Sequence, residues 1–404
     1  QLDESLGTEA LGQGIDRLDQ RQGGKAVRLH DIVRMSDLLL AVEKSDLAGD
    51  VALLADGKGA FHPSTLRAEE DDALRIGWSR QLGESVDSSP AVADGRLYVG
   101  ADNGSLYCLD ASDGAEIWRA QTGGAIVSSP AVAGSTVYVG SVDRCLYAFS
   151  TADGARLWRV RTRKPVLAPP LVYAGRVYFG SMDGSFRCVD AIDGKPLWQL
   201  EVGPVSGAAA ADAGGIIYFG DYSGAVYAVD AATGTQVWKA QLKGSIVAAP
   251  LSVSGKVIVG VMGPTALTIE KIKYILALEA ATGAEAWSHT DGSSVLHTAV
   301  ADERAVYFGV VSGYTSNAEL HAADLATGKL LWKRKLGGVT DSSPLLAGGR
   351  LLFGLHDKEF HIADTNGGND LATVQIGAKL YSSAACSDGR VFIGGGDGRL
   401  YCLQ

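Results

Sequence analysis

The sequence has little of what marks membrane, disulfide-rich or metal-finger proteins. No apolar run approaches the ~18 consecutive residues that a membrane-spanning helix needs, so we expect no transmembrane helix. The five cysteines include no CxxC pair and no vicinal pair, which indicates neither a disulfide framework nor a zinc knuckle. The chain begins at Gln1 rather than at methionine, and we interpret this as the removal of an upstream segment, either a signal peptide or a tag with its flanking residues.

Basic charge is also scarce. The chain carries 36 Lys/Arg and 46 Asp/Glu, of which 8 and 15 fall in residues 1–73, so residues 74–404 are nearly neutral. A nucleic-acid surface needs a basic stripe to displace phosphate counterions. We therefore predict no nucleic-acid partner, and we assign residues 1–73 to an irregular acidic extension that follows no repeat.

Tryptophan and glycine show how the rest of the chain is organised. Glycine contributes 52 residues, which indicates many tight turns. The seven tryptophans fall in one register, at spacings of 40, 40, 40, 40, 49 and 45 residues. They are Trp78, Trp118, Trp158, Trp198, Trp238, Trp287 and Trp332. A fixed period of this length is typical of propeller blades.

Each repeat predicts four antiparallel strands, because short runs rich in Val, Tyr, Phe and Ile alternate with Asp-Gly, Asn-Gly or Thr-Gly turns. The first-strand motif occurs eight times, beginning near Ser88, Ser128, Ala168, Ala208, Ala248, His297, Ser342 and Ser382. The last repeat stops at Gln404 without a fourth strand, and residues 74–82 can supply one. We predict an all-β, eight-bladed β-propeller over residues 74–404, closed by an N-terminal strand that completes the last blade.

The turn that precedes each tryptophan carries a family resemblance. Asp230-Ala-Ala-Thr-Gly-Thr-Gln-Val-Trp238 and Leu325-Ala-Thr-Gly-Lys-Leu-Leu-Trp332 resemble the tryptophan-docking motif of quinoprotein (PQQ-like) propellers, which BamB outer-membrane assembly lipoproteins share. The resemblance implies that the seven tryptophans dock neighbouring blades together. It also implies an exported, periplasmic or extracellular protein, although BamB proteins carry a short leader behind a lipidated N-terminal cysteine and this sequence starts with Gln1 and a longer one.

Quinone chemistry would need PQQ, a calcium ion and an indole floor in the central channel. Every tryptophan already occupies the docking register, so we predict no cofactor and keep PQQ with calcium as the alternative.

Cys108, Cys188 and Cys402 share a slot that holds alanine in other repeats, so we interpret them as small buried residues. His321 and His361 replace a repeated tyrosine, and we interpret them as structural substitutions because no carboxylate has metal-ligand spacing with them.

Departures from the repeat point to a candidate binding surface. The connection between the second and third strands is nine residues longer in blade 5 than in blade 4, and five longer in blade 6. The candidate partner-binding residues in these inserts are Met262, Thr265, Leu267, Ile269, Lys271, Lys273 and Tyr314. A second candidate is the mouth of the channel, at Asp87, His297, Asp341 and Tyr381. The alternatives are that the inserts only pack on the protein itself and that the mouth holds ordered water.

These features favour a non-catalytic interaction scaffold of the cell envelope that binds a protein partner through loops on one propeller face. Two alternatives stay open: a PQQ-dependent dehydrogenase, and a ligand-sensing propeller domain of a larger receptor or kinase. Since a single chain can close the ring, we expect a monomer.

Overall fold

The computed structural model describes residues 74–263, 272–291, 293–312, 318–339 and 342–404. Within these ranges the chain forms β-strands, turns and loops and no helix, so the described part contains no helix able to cross a membrane. The predicted acidic extension, residues 1–73, lies outside the described residues.

Eight antiparallel sheets form the blades of a ring, which confirms the predicted eight-bladed propeller. Blade 1 is built from β2 (Ala91–Ala93), β3 (Arg96–Gly100), β4 (Ser105–Asp110) and β5 (Glu116–Gln121), and blade 2 from β6 (Ala131–Ala133), β7 (Thr136–Ser141), β8 (Cys145–Ser150) and β9 (Arg156–Arg161). Blade 3 contains β10 (Leu171–Tyr173), β11 (Arg176–Ser181), β12 (Ser185–Asp190) and β13 (Pro196–Glu201), and blade 4 contains β14 (Ala210–Ala211), β15 (Ile216–Gly220), β16 (Ala225–Asp230) and β17 (Gln236–Gln241).

The second half of the ring repeats this order with local changes. Blade 5 consists of β18 (Leu251–Val253), β19 (Lys256–Gly260), β20 (Ile272–Glu279) and β21 (Glu285–Asp291), and blade 7 of β27 (Leu345–Ala347), β28 (Arg350–Gly354), β29 (Glu359–Asp364) and β30 (Asp370–Gln375). Blade 6 has β22 (Ser293–Ser294), β23 (Val300–Ala301), β24 (Ala305–Ser312), β25 (Ala318–Asp324) and β26 (Leu330–Lys335). Its inner edge is split in two, because β22 and β23 both pair with β24.

Blade 8 closes the ring with strands from both ends of the described chain. It contains β31 (Ala385–Ser387), β32 (Arg390–Gly394), β33 (Arg399–Leu403) and, as the outer strand, β1 (Ile76–Gln81). β1 pairs antiparallel with β33, and Arg75 and Gln404 exchange two backbone hydrogen bonds of 2.9 Å beyond the strand ends. The predicted closure by an N-terminal strand is therefore confirmed, and β33 has no exposed edge.

The hydrophobic core is divided among the interfaces between blades. Within the described residues, every neighbouring pair of blades shares one cluster of buried apolar side chains, and the eighth pair, blades 8 and 1, closes the set. In β3, Leu97 and Val99 face blade 8, whereas Tyr98 faces blade 2. Successive side chains of a strand point to opposite faces, so a strand buried on both faces reads as a continuous apolar run.

The indole ring of each tryptophan, which is on an outer strand, packs against a turn of the following blade. Trp118, in β5, is 8% exposed, and its Nε1–H donates to the carbonyl oxygen of Thr151 at 2.9 Å. A Cβ added to Gly154 would lie 2.6 Å from Cε3 of the same indole. Gly154 has φ +73°, a conformation that glycine adopts without strain, so this turn needs glycine for two reasons.

All seven indoles lie against a turn glycine of the following blade, and six of them donate Nε1–H to a carbonyl oxygen there, whereas Nε1 of Trp78 has no hydrogen-bond partner among the described residues. The turn glycines that they approach are Gly114, Gly154, Gly194, Gly234, Gly283, Gly328 and Gly368. The eighth position on an outer strand is Ala372, in blade 7. The turn that an indole there would reach is replaced in blade 8 by the separate ends of β33 and β1, and Leu74 packs in the same cluster as Ala372.

A β-bulge precedes every docking position. In β5, Cys108 of β4 pairs with Trp118 and Leu109 pairs with Glu116, so Ile117 is the extra residue. The same register shift occurs at the corresponding place in the other seven blades. Since a bulge increases local twist, it turns the following side chain toward the next blade.

Packing of the indole against its turn can be tested with two glycines of equal φ. Gly154 and Gly175 both have φ +73°, but a Cβ at Gly175 would meet nothing within 4 Å. We expect Gly175→Ala to lower the free energy of unfolding by about 1–2 kcal/mol through backbone strain alone. Gly154→Ala should cost a further ~1–3 kcal/mol because it also displaces Trp118. Chemical denaturation measures both free energies of unfolding. Equal losses would show that Trp118 moves away from the added methyl group without destabilising the protein.

Closure of the ring can be tested by deleting residues 76–81 from the full chain. The deletion leaves β33 as an open edge and removes Trp78, and we expect aggregation and a loss of at least ~3 kcal/mol, the size of one buried tryptophan truncation. Thermal denaturation and size-exclusion chromatography report these effects. Trp78→Ala alone serves as the control, and a deletion no worse than this variant would mean that pairing of β1 with β33 adds no stability.

Candidate functional site

One face of the ring carries the connections that vary in length. Because the four strands alternate in direction, the crossing into each inner strand lies at the same end as the turn between the second and third strands. We call this end the insert face. In blade 2 an aspartate joins the two segments: Asp143 Oδ2 accepts hydrogen bonds from the Gly123 backbone N–H at 2.7 Å and from the Tyr147 hydroxyl at 2.6 Å. Such turn aspartates are therefore already engaged within the scaffold.

Blades 5 and 6 extend beyond their neighbours on the insert face. In blade 5, β20 begins at Ile272, which pairs with Asp291, whereas the last residue of β19 pairs with Ile275. In blade 6, β24 continues past Gly309, and Val311 pairs with Ala318 of β25. The two longer hairpins are adjacent in the ring, so they form a single raised sector.

The base of the blade 5 insert is part of the folded core. Met262 is buried and packs with Val247 and Leu296 in a small cluster of its own. Its backbone exchanges two hydrogen bonds of 2.9 Å with Ser245. The side chain of Met262, which the sequence suggested as a contact for a partner, therefore lies inside the raised sector and holds it to the crossings on either side.

Lys273 is the other predicted insert residue that the structure describes. Its ammonium group forms an ion pair with Glu285 of β21, and this hydrogen bond holds the pKa of Glu285 below its usual value. Lys273 is about half exposed, so it stays available at the surface. The other predicted contacts, Thr265, Leu267, Ile269, Lys271 and Tyr314, lie outside the described residues.

The predicted channel-mouth residues lie on separate blades. Asp87, His297 and Tyr381 lie in the crossings, three or four residues before β2, β23 and β31 of blades 1, 6 and 8. Asp87 is buried and accepts a hydrogen bond from the Ser85 hydroxyl at 2.5 Å, and Tyr381 meets the ring of His356 edge-on at 5.2 Å. Asp341 lies outside the described residues.

Hydroxyl groups join the inner strands of several blades around the channel. Each backbone N–H in this series donates to the next blade's hydroxyl oxygen, from Thr298 to Ser343, then to Ser383, Ser89 and Ser129. In blades 3 to 5 the matching positions are Pro169, Ala209 and Ala249. The inner ring is therefore polar on one side and apolar on the other, and its hydroxyls serve blade-to-blade contacts.

The residues do not fit a quinone cofactor bound on an indole floor. All seven tryptophans lie on outer strands, between blades, where their rings contact the turns of the following blade. A tryptophan that turned into the channel would leave its place between two blades and remove part of their shared core. The chain therefore offers no indole to stack on a planar cofactor.

The thiols are also unsuited to redox chemistry. Cys108, Cys188 and Cys402 are fully buried, and burial raises the pKa of each thiol to about 11. Nucleophilic and metal-binding cysteines react as thiolates. These three side chains therefore serve as small apolar residues of the strands.

The sequence-based interpretation of His361 was incomplete. Asp357, Glu359 and His361 bring ligand atoms to within 4.8 Å of one another, so carboxylates do have metal-ligand spacing with this histidine. The alternating positions on β29 and its preceding turn place all three side chains on one side of the strand. The Asp-x-Glu-x-His pattern was the signal in the sequence.

Comparison with known proteins places the chain in a family. Its sequence matches the family described as "Outer membrane protein assembly factor BamB" over residues 68–204 and 182–404. A search of curated proteins gave no match.

Solved structures share the fold at low sequence identity. BamB from Moraxella catarrhalis has a TM-score of 0.68 and 20% identity, over 82% of this chain and 98% of that chain. The computationally designed Ika8 protein has a TM-score of 0.63 and 17% identity, over 80% of this chain and 99% of that one.

An enzyme shares the fold as well. The quinohemoprotein alcohol dehydrogenase ADHIIG from Pseudomonas putida HK5 has a TM-score of 0.63 and 16% identity, over 82% of this chain and 76% of that chain. Identities this low show a common fold and not a common activity. The family match covers the whole propeller, and the chain therefore belongs to the family described as outer membrane protein assembly factor BamB.

Proposed function

We propose that the protein is a non-catalytic scaffold of the cell envelope that binds a protein partner through the raised sector of blades 5 and 6. The observation that carries this proposal is the extension of two adjacent hairpins on one face of an otherwise regular ring. Repeats that keep the common length serve the scaffold, and connections that depart from it are where propellers and other rigid folds present binding residues.

The construction of the raised sector supports a binding role. Its base is held by the buried side chain of Met262 and by a hydrogen bond from the Gly263 N–H to the Ser294 hydroxyl at 3.0 Å. A partner would therefore meet a support that is already ordered, which lowers the entropic cost of binding. In the sequence of the insert Leu267 and Ile269 are apolar, and Lys273, which follows them, is half exposed and paired with Glu285.

The family description supports a role in outer-membrane protein assembly, and so an exported protein whose partner is another assembly component. The dehydrogenase remains the alternative, because quinohemoprotein alcohol dehydrogenases have the same fold. The indoles argue against it here, since each one is engaged between blades.

Site-specific photo-crosslinking tests the binding face. A photoreactive residue at position 267 or 314 should form a covalent adduct with a single partner in cells of the source organism. Ile192 is the matched control, because it is 86% exposed and apolar but lies on the opposite face, in the turn between β12 and β13. Adducts appear as new bands by immunoblotting and are identified by mass spectrometry. Equal labelling from position 192, or none from the insert positions, would move the interface away from blades 5 and 6.

Cofactor binding separates the scaffold from the enzyme. Purified protein mixed with PQQ and Ca²⁺ should show no change in quinone absorbance and no alcohol- or sugar-dependent dye reduction, because its indoles are occupied. A quinohemoprotein alcohol dehydrogenase, assayed in parallel, serves as the positive control. Stoichiometric PQQ binding with turnover would contradict the scaffold proposal and support the dehydrogenase.

A further inference from the structure

Blade 7 contains a cluster of two carboxylates and one imidazole that the proposed scaffold function does not use. Asp357 lies in the turn between β28 and β29, and Glu359 and His361 follow on β29. The imidazole Nε2 lies 3.2 Å from Asp357 Oδ2 and 3.9 Å from Glu359 Oε2. His361 is buried, whereas the two carboxylates are partly exposed, so the cluster can be reached from solvent.

Each carboxylate has one oxygen engaged elsewhere and one turned toward the imidazole. Asp357 Oδ1 accepts the Glu359 backbone N–H at 2.9 Å, and Glu359 Oε1 accepts a hydrogen bond from the Gln375 side chain. These bonds hold both groups in place without using the oxygens that face His361. The three remaining atoms, Asp357 Oδ2, Glu359 Oε2 and His361 Nε2, lie within 4.8 Å of one another, and without a metal Nε2 and Oδ2 share a hydrogen bond that a cation would replace.

The other side of the imidazole is held as metal-bound histidines commonly are. His361 Nδ1 lies 3.2 Å from Asp370 Oδ1, and its ring stacks on Phe353 with centroids 5.3 Å apart. A carboxylate can only accept a hydrogen bond, so Nδ1 is the donor in this contact. Arg334 of blade 6 grips both oxygens of Asp370. Carboxylates that orient a ligating imidazole in this way are typical of metal sites.

Distances and charge both suit a divalent cation. With metal–ligand bonds of about 2.0–2.2 Å in a tetrahedral arrangement, neighbouring ligand atoms lie about 3.3–3.6 Å apart. The observed 3.2 and 3.9 Å lie on either side of this spacing. Arg334 neutralises Asp370, which leaves the two charges of Asp357 and Glu359 for a cation to balance.

Among its described residues, blade 6 shows the corresponding strand positions without such a site. Glu319 and His321 form a pair with 2.7 Å between Oε2 and Nε2, and the ammonium group of Lys333, opposite His321 on β26, lies 3.8 Å from the same carboxylate. The residue opposite His361 in blade 7 is Thr373. In blade 6 the ammonium group of Lys333 therefore balances the charge of Glu319. Blade 7 has no lysine opposite its histidine and carries an additional carboxylate, Asp357.

Other blades show what the ordinary residue at the histidine position does. Tyr147 and Tyr401 occupy it in blades 2 and 8, and their hydroxyls donate to Asp143 and Asp397 at 2.6 and 2.5 Å. A tyrosine at position 361 would make the same contact with Asp357. The histidine can make the same contact when Nε2 carries a proton, and it can instead offer the Nε2 lone pair to a cation bound between it and Asp357, which a tyrosine does not provide at this position.

We propose that Asp357, Glu359 and His361 bind one divalent transition-metal cation, such as Zn²⁺, on the outer part of blade 7. Asp370 and Arg334 position the histidine. Three protein ligands leave at least one coordination position open for water or for a group from another molecule.

The test is metal binding by the purified, untagged chain after treatment with EDTA and dialysis. Titration with Zn²⁺ in a calorimeter, and with Co²⁺ by visible absorption, should each show one equivalent bound. His361→Tyr restores the residue of other blades and should abolish binding while the metal-free thermal transition stays the same. Asp370→Asn should weaken binding about 10–100-fold through loss of orientation. His321→Tyr in blade 6 is the matched control and should bind as the wild type does.

Two results would overturn the site. One is the absence of a stoichiometric equivalent in the wild-type titrations. The other is a His361→Tyr variant that binds Zn²⁺ as tightly as the wild type, which would locate the metal elsewhere on the chain. Retention of binding by His321→Tyr together with its loss in His361→Tyr assigns the metal to blade 7.

Discussion

The ring depends on one repeated contact, in which an outer-strand indole lies against a glycine turn of the next blade. The contact combines a side chain large enough to span the interface, a turn with no Cβ and, at six of the seven indoles, a carbonyl oxygen that accepts the indole N–H. Trp118, Thr151 and Gly154 supply these three parts at the first interface. Because seven of the eight blades supply an indole to a turn of the next blade, the order of blades around the ring follows from the chain.

The closing interface shows how strictly this contact depends on a continuous turn. Between blades 7 and 8 the turn is replaced by two chain segments, β33 and β1, and the outer-strand position is Ala372 rather than tryptophan. Leu74 packs in that cluster instead. Backbone pairing of β1 with β33 therefore takes over at the one interface where indole docking has no receiving turn.

The regular ring confines new chemistry to a few places. The raised sector lies on blades 5 and 6, and the carboxylate–imidazole cluster lies on blade 7, where Arg334 of blade 6 supports it. Both the raised sector and the carboxylate–imidazole cluster contact buried residues of the propeller. In the raised sector, the side chain of Met262 packs in a buried cluster. In the carboxylate–imidazole cluster, His361 stacks on Phe353, which lies at the interface of blades 6 and 7.

The sequence by itself determined the eight blades, their four strands and the closing strand, because these follow from a local period of turns, apolar runs and tryptophans. It also located the inserts and the channel residues along the chain. Only the tertiary structure decided that Met262 is buried and that Asp370 and Arg334 stand behind His361. These contacts join different strands and blades, and their distances depend on twist, bulges and register, which no periodicity within one repeat records.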